Sequence, residues 1–104
     1  MTTEADYLNQ YDARRFPSPL VTVDSVLFTV HQQALCVLLV ERANLPQKGR
    51  WGLPGGFIDI ENDDSTRTTA LRKLTEKTGV SPSWLEQLDT FSGPDRDPRG
   101  WSLT

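Results

Sequence analysis

The sequence predicts an α/β fold, and three observations carry that expectation. Two stretches between Leu20 and Val40 are rich in β-branched and aliphatic residues, one alternating with interruptions and one apolar throughout, as strands are. The segment from Ser65 to Thr78 sets Ala70, Leu71 and Leu74 on one side at helical spacing. Between them lies a short glycine- and proline-bearing segment, Trp51-Gly52-Leu53-Pro54-Gly55-Gly56, in which the backbone can approach a neighbour closely. The 104 residues are enough for one domain at most. With 37% hydrophobic residues against a usual ~45 to 50% that also counts glycine, the core is expected to be modest.

Composition removes several function classes. Eleven Lys and Arg against 14 Asp and Glu give a formal charge of −3, and no basic stripe is present to follow a nucleic-acid backbone. No window approaches the ~18 consecutive apolar residues of a spanning helix, and the start Met1-Thr2-Thr3-Glu4-Ala5-Asp6 lacks the pattern of a signal peptide. The chain therefore reads as soluble and cytoplasmic, with no membrane partner. One cysteine, Cys36, and one histidine, His31, argue against a disulfide, a structural zinc site and a Ser-His-Asp triad. His31 reads as a surface residue beside a turn, and Cys36 as a small buried apolar one.

Residues 1–19 form a polar arm, with Pro17-Ser18-Pro19 forcing an extended path at its end, and residues 20–104 form the domain. From Leu20 to Val30 the residues Val21, Val23, Val26, Phe28 and Val30 predict a strand. Gln32-Gln33 interrupts it, and Ala34 to Val40 predicts a second strand covered on both faces, the two forming a hairpin. Ala43 to Arg50 is a loop carrying Pro46 and Gly49. After the acidic cluster Glu61-Asn62-Asp63-Asp64 the helix begins, with Asp64 its expected N-cap and Gly79 its left-handed end. Leu85 to Phe91 fits a strand or a short helical turn, and Ser92-Gly93-Pro94-Asp95 has turn chemistry. An alternating pattern begins at Trp101-Ser102-Leu103 and stops at Thr104, so the chain is expected to be part of a longer protein.

On the helix, Lys73, Glu76 and Lys77 are related as i, i+3 and i+4 and share a face, expected opposite the side that buries Leu71 and Leu74. A Gly55-Gly56 turn leading toward a helix N-terminus suits phosphate or carboxylate oxygens. Taken alone, these residues fit equally a β-bulge beside a solvated, salt-bridged face.

The run Gly56 to Val80 resembles the Nudix box, the signature of hydrolases acting on a nucleoside diphosphate linked to another moiety. The family pattern is a glycine, five residues, a glutamate, seven residues, then Arg-Glu-aliphatic-any-Glu-Glu-any-Gly-aliphatic. Here its right end reads Arg72-Lys73-Leu74-Thr75-Glu76-Lys77-Thr78-Gly79-Val80, and Asp64 stands for the upstream glutamate, with seven residues rather than five after Gly56. The resemblance implies a Nudix-type α/β/α sandwich with a mixed sheet, incomplete in this chain. In the family, the box glutamates hold Mg²⁺ or Mn²⁺ that bridge the pyrophosphate and activate water. Two of those three positions are Lys73 and Lys77, so the face changes from a formal −3 to +1. Glu76 alone does not make a metal cluster unless Asp63 or Asp64 folds back to join it. The lysine ammonium groups instead fit direct neutralisation of a pyrophosphate, which generates no nucleophile; they fit equally a face paired with Glu76.

A second resemblance covers nearly the whole chain. Tyr7 to Arg15, Val21-Thr22-Val23-Asp24, Val26-Leu27-Phe28-Thr29, the altered box, Leu85-Glu86-Gln87-Leu88 and Asp95-Arg96-Asp97-Pro98-Arg99-Gly100-Trp101 look like the Nudix-related repressors of NAD metabolism, the NrtR family. Those regulators join an ADP-ribose-sensing Nudix-like domain to a C-terminal winged-helix DNA-binding domain and act as dimers. The resemblance implies that Arg42, Phe57, Arg96 and Arg99 line a pocket for ADP-ribose or a similar nucleotide, to which the phosphate chemistry above adds Gly55, Gly56, Lys73 and Lys77; binding is expected to require no cofactor, and DNA to be reached only through a domain absent here. Arginines suit bidentate phosphate contact and an aromatic suits adenine. Each also has a structural reading: Arg42 ends a strand, Phe57 is core, and Arg96 and Arg99 pair with Asp95 and Asp97. The same Asp-Arg-Asp-Pro-Arg-Gly segment occurs in true ADP-ribose pyrophosphatases. An active hydrolase therefore stays open as the alternative, with Glu76 as metal ligand and Arg72 beside it in the catalytic machinery and Mg²⁺ or Mn²⁺ as cofactor. A packing module that binds no nucleotide is the third reading.

Overall fold

A computed structural model describes all residues, Met1–Thr104. A short helix α1 (Glu4–Gln10) precedes β1 (Leu20–Asp24), β2 (Phe28–His31), β3 (Ala34–Val37), β4 (Val40–Glu41), β5 (Trp51–Gly52) and β6 (Gly55–Phe57). Helix α2 (Thr66–Thr78) follows, then β7 (Ser92–Asp97) and β8 (Gly100–Leu103). Four strands form a mixed sheet in the order β6-β1-β8-β7. Within it β1 runs antiparallel to β6, parallel to β8, and β8 antiparallel to β7. This is the α/β class with a mixed sheet that the sequence predicts.

The expected hairpin is present, but its strands are shorter than their hydrophobic runs. β2 and β3 pair from Phe28↔Val37 to His31↔Ala34 around Gln32 and Gln33, both at positive φ (50° and 65°), the two-residue turn whose twist matches paired strands. The stretch Leu20 to Val30 is not one strand. It breaks after Asp24 because the Ser25 N–H turns to the Pro54 carbonyl (2.8 Å), tying β1 to the glycine segment, while β2 continues in a separate two-stranded sheet. The run Ala34 to Val40 likewise divides: β3 is mostly exposed rather than covered on both faces, Cys36 is half-buried, and Val40 moves on to pair with Gly52.

Helix α2 forms where expected, with two local corrections. Its N-cap is Ser65, not Asp64; the Ser65 hydroxyl accepts the Thr68 N–H (3.3 Å), leaving Asp64 exposed. Gly79 at φ 73° ends it and returns its N–H to the Thr75 carbonyl (3.0 Å). Leu74 is fully buried against the sheet together with Thr69, while Leu71 is half-buried.

Two further segments differ from their sequence reading. Ser92–Asp97 is an edge strand rather than a turn, because its partner β8 lies just downstream, and Pro94 is tolerated at a sheet edge. Leu85 to Thr90 is neither strand nor helix. The polar arm carries α1, closed by a reciprocal cap between Thr3 and Asp6, and a single 3-10 turn at Ala13–Arg15. Neither buries a residue, and Tyr11 stacks on Phe16 at 5.6 Å between centroids. The radius of gyration, 17.6 Å, exceeds the ~13 Å of a compact chain of this length.

Candidate functional site

The loop before α2 is fastened to it by one carboxylate. Asp63, whose side chain is 1% exposed, accepts Arg72 Nε at 2.9 Å on Oδ1 and the second Arg72 nitrogen at 2.7 Å on Oδ2. Its Oδ2 also accepts the Asp59 N–H and the Thr69 hydroxyl, each at 2.9 Å. The Arg72 fork holds the Asp63 carboxyl well below the usual carboxylate range, with the Asp59 N–H acting in the same direction. Asp63 in turn pushes Arg72 upward. Arg72 reaches on to the Phe57 carbonyl and to Glu76 Oε1, both at 3.3 Å, so β6, the loop and the helix share one clamp.

The sequence left both acids open as stand-ins for the missing box glutamate. Only Asp63 is taken up in the structure, and it is spent on Arg72. Its relation to Arg72, rather than that of Asp64, had no local signal, because which acid points inward depends on where Ser65 starts the helix.

On its other side α2 meets the glycines. A methyl group on Gly55 would strike Asp24 Oδ1 and the Val23 carbonyl, so that position needs glycine for packing reasons, while one on Gly56 would lie 2.6 Å from Lys73 Cε and displace the end of that flexible side chain. Lys73 lays its stem over Gly56 and brings Nζ to 3.4 Å from Glu76 Oε2. Lys77 donates from Nζ to the Gly55 carbonyl. Contrary to the expectation of a face turned away from the buried side, both lysines meet the sheet. With no side chains in their path, they fold inward onto the glycine turn.

Although Lys77 as a residue remains exposed, desolvation lowers its ammonium pKa. The positive charges of Lys73 and Arg42 push the same way, against Asp24 and Glu76. Arg42 anchors its own loop through Nε to the Pro46 carbonyl (2.7 Å).

The remaining predicted residues come from the β7–β8 hairpin and β6. Arg96 donates to Ser102 Oγ at 2.9 Å and lies 3.4 Å from Asp24 Oδ2. Arg99 sets its guanidinium carbon 4.7 Å from the centroid of Phe57, a cation–π geometry. It is also held by Asp97 through contacts of 3.0 and 2.8 Å. That partner lowers the Asp97 carboxyl to about 2. Arg96 therefore pairs with Asp24 rather than Asp95 or Asp97, and Phe57 is partly exposed under Arg99 rather than core.

The site so assembled is cationic. Glu76 is shared by Arg72 and Lys73, and no three His, Cys, Asp or Glu side chains converge in a geometry able to hold a metal ion. With a lysine ammonium seated on the Gly55 carbonyl, this donor set does not fit a divalent cation. It fits anionic oxygen, for which Lys73, Lys77 and Arg96 supply charged donors around a glycine turn. An open depression of about 420 Å³ on α2 is lined by Thr68, Leu71, Arg72, Thr75 and Glu76, and by neither glycine nor either lysine.

The NUDIX domain model matches residues 18–103. The chain is 48% identical over 103 residues to the ADPR responsive transcriptional repressor NtrR of Acinetobacter baylyi, covering 99% of this chain and 41% of that protein. It is 37% identical over 87 residues to an ADP-ribose pyrophosphatase of Methanocaldococcus jannaschii, covering 84% and 48%. The chain thus spans less than half the length of these two curated relatives. Among solved structures, the NUDIX domain of Shewanella oneidensis NrtR complexed with ADP ribose superposes with a TM-score of 0.95 at 57% identity. That match covers 98% of this chain and 66% of the other. No helix of the chain is long and apolar enough to cross a membrane.

Proposed function

The chain belongs to the Nudix domain family, and from that premise we propose that it is an ADP-ribose-binding sensor domain of a transcriptional regulator of NAD metabolism, eroded as a catalyst. The observation that carries this reading is the inward fold of Lys73 and Lys77 onto Gly56 and Gly55, at box positions where the family has glutamates. In it the two ammonium groups and Arg96 neutralise the diphosphate. Phe57, with Arg99 above it, offers a flat face to the adenine. Arg42 adds positive charge from the opposite loop. Arg72 acts by clamping α2 to its loop rather than by touching ligand.

Binding then requires no cofactor. The 48% identity to a repressor that responds to ADPR, and the fit to a domain solved with ADP ribose, support the sensor role. Residues 1–19 serve as an arm to the Nudix-like domain of residues 20–104. DNA is contacted by a C-terminal domain outside this chain, within a cytoplasmic homodimer.

A second reading, an ADP-ribose pyrophosphatase using Mg²⁺ or Mn²⁺, is favoured by the 37% identity to such an enzyme and by the retained Glu76. One experiment separates the two. ADP-ribose is incubated with the full-length protein and excess Mg²⁺, AMP is sought by chromatography, and a binding titration is run on the same sample. The sensor reading expects intact ADP-ribose and saturable binding without metal. AMP formed at ordinary enzyme rates of about 1 s⁻¹ or more overturns it, and absence of both AMP and binding leaves a packing module.

A further inference from the structure

Asp24 has no part in the binding role proposed above, yet it stands at the centre of the cationic site. It closes β1, and its partner across the ladder is Gly55, whose carbonyl receives the Lys77 ammonium. Its Oδ1 faces Gly55 closely enough to forbid a side chain there. Its Oδ2 accepts the Thr104 hydroxyl at 2.7 Å and lies 3.4 Å from Arg96. One carboxylate, 26% exposed, therefore ties β1 to β7, to the residue that follows β8, and to the glycine turn under α2.

The charges at this point can be counted. Those acting on the Lys77 ammonium are Lys73 and Arg42, which repel it, and Asp24 and Glu76, which attract it; Arg96 joins through its pair with Asp24. With the Arg72–Asp63 and Arg99–Asp97 pairs each neutral, four cations face two carboxylates, a surplus of two positive charges. A diphosphate capped at both ends carries about two negative charges. One that ends in a free phosphate carries nearly one more at neutral pH, since the second ionisation of a phosphate monoester falls near pH 6.

We propose that Asp24 is a specificity-determining residue, a built-in counter-charge that matches the site to a doubly capped diphosphate and disfavours nucleotides with a free terminal phosphate. This rests on the ADP-ribose-binding reading. Without Asp24 the surplus rises by one and the extra charge of a terminal phosphate is better accommodated. Arg96 keeps its bond to Ser102 Oγ in either case.

The test compares the affinities of ADP-ribose and ADP, without metal, for the full-length protein and four variants. Asp24→Asn keeps the shape and an acceptor for Thr104 but removes the charge, and ADP is expected to gain on ADP-ribose about fivefold at low salt. Asp24→Glu keeps the parent's preference. Ser102→Ala deprives Arg96 of its other partner without altering charge, and leaves the ratio unchanged even if both affinities fall. Asp24→Ser removes the same charge with a smaller side chain, is expected to give the same gain for ADP, and carries the test if Asp24→Asn does not fold.

A ratio unmoved by Asp24→Asn in a folded protein that still binds ADP-ribose overturns the selectivity role and leaves the binding role intact. An equal shift in Ser102→Ala overturns it too, since positioning of Arg96 would then be the cause. No binding of ADP-ribose by the parent removes the reading on which the proposal stands.

Discussion

The two sides of α2 use charge in opposite ways. On one, Asp63 is withdrawn from water and meets donors from Arg72, Thr69 and the Asp59 backbone, so that little of its charge is left for anything else. On the other, Lys73 lays its stem over Gly56 and Lys77 reaches Gly55 with its ammonium, and these ammonium groups have fewer partners: Glu76 for Lys73, and a neutral carbonyl for Lys77. A satisfied buried pair fixes geometry but recognises nothing. An incompletely satisfied one is available to a ligand. One helix therefore serves as a clamp through Arg72 and as a binding edge through the residues next to it in sequence.

The comparison breaks most decisively at the clamp. Asp63→Asn keeps the shape of the side chain but removes the charge that holds the Arg72 fork, and leaves the guanidinium with the more distant and more exposed Glu76 as its counter-charge. Of the substitutions discussed here, it is expected to cause the largest fall in melting temperature. Affinity for ADP-ribose, measured well below that temperature, should stay within about twofold, because the clamp and the lysines share no ligand contact. An unchanged melting temperature, or affinity lost with stability intact, would mean that the two sides of α2 are not divided in this way.

The lysine side gives the next largest effect and the opposite signature. Replacing Lys73 and Lys77 together by Ala removes two charge-assisted contacts. Metal-free ADP-ribose affinity is expected to fall about 100-fold, with melting temperature little changed. Replacing both by Glu sharpens the point, since it returns the box to its acidic form. Mg²⁺-dependent AMP formation by that variant and not by the parent would identify these two positions as the cause of erosion. Affinity that survives the double Ala substitution would place the ligand elsewhere.

The elements that carry this division were legible in the sequence, because they rest on local patterns. The helix and its Gly79 end follow from periodicity and one conformational requirement, and the hairpin from an alternating run and an apolar one on either side of Gln32-Gln33. The box spacing put Lys73, Lys77, Gly55 and Gly56 in one short list. What was not legible depends on partners distant in sequence. Ser92-Gly93-Pro94-Asp95 has the composition of a turn and becomes a strand because β8 pairs with it. Asp63 and Asp64 are alike until the helix start is fixed at Ser65, which turns one inward and leaves the other exposed. The inward course of the lysines required knowing that the sheet strand beneath them was made of glycines. The place of Asp24 required the register of β1 on β6.

The smallest expected effect tests a pair that lies between the two extremes. Asp97 and Arg99 are bonded twice, as in the clamp, but Arg99 is 41% exposed and sits over Phe57 at the proposed ligand face. The Asp97 carboxyl falls from its ordinary 3.8 to about 2 in the folded chain, chiefly through Arg99. A carboxyl with a lowered folded pKa releases its proton more readily when folded than when unfolded. Its contribution to stability is therefore complete above about pH 4, declines as the pH falls from 3.8 toward about 2, and is absent below that. Asp63 contributes in the same sense and holds out to lower pH, so the acid limb of the parent reflects both. Asp97→Asn should lower stability at pH 7, by less than Asp63→Asn does, and make it fall less steeply between pH 4 and 2, so that variant and parent converge in acid. Chemical denaturation at a series of pH values reads this directly. Acid limbs that coincide for parent and variant would mean that solvent screens the Asp97–Arg99 pair completely, and that Arg99 is as available to a ligand as the lysines are.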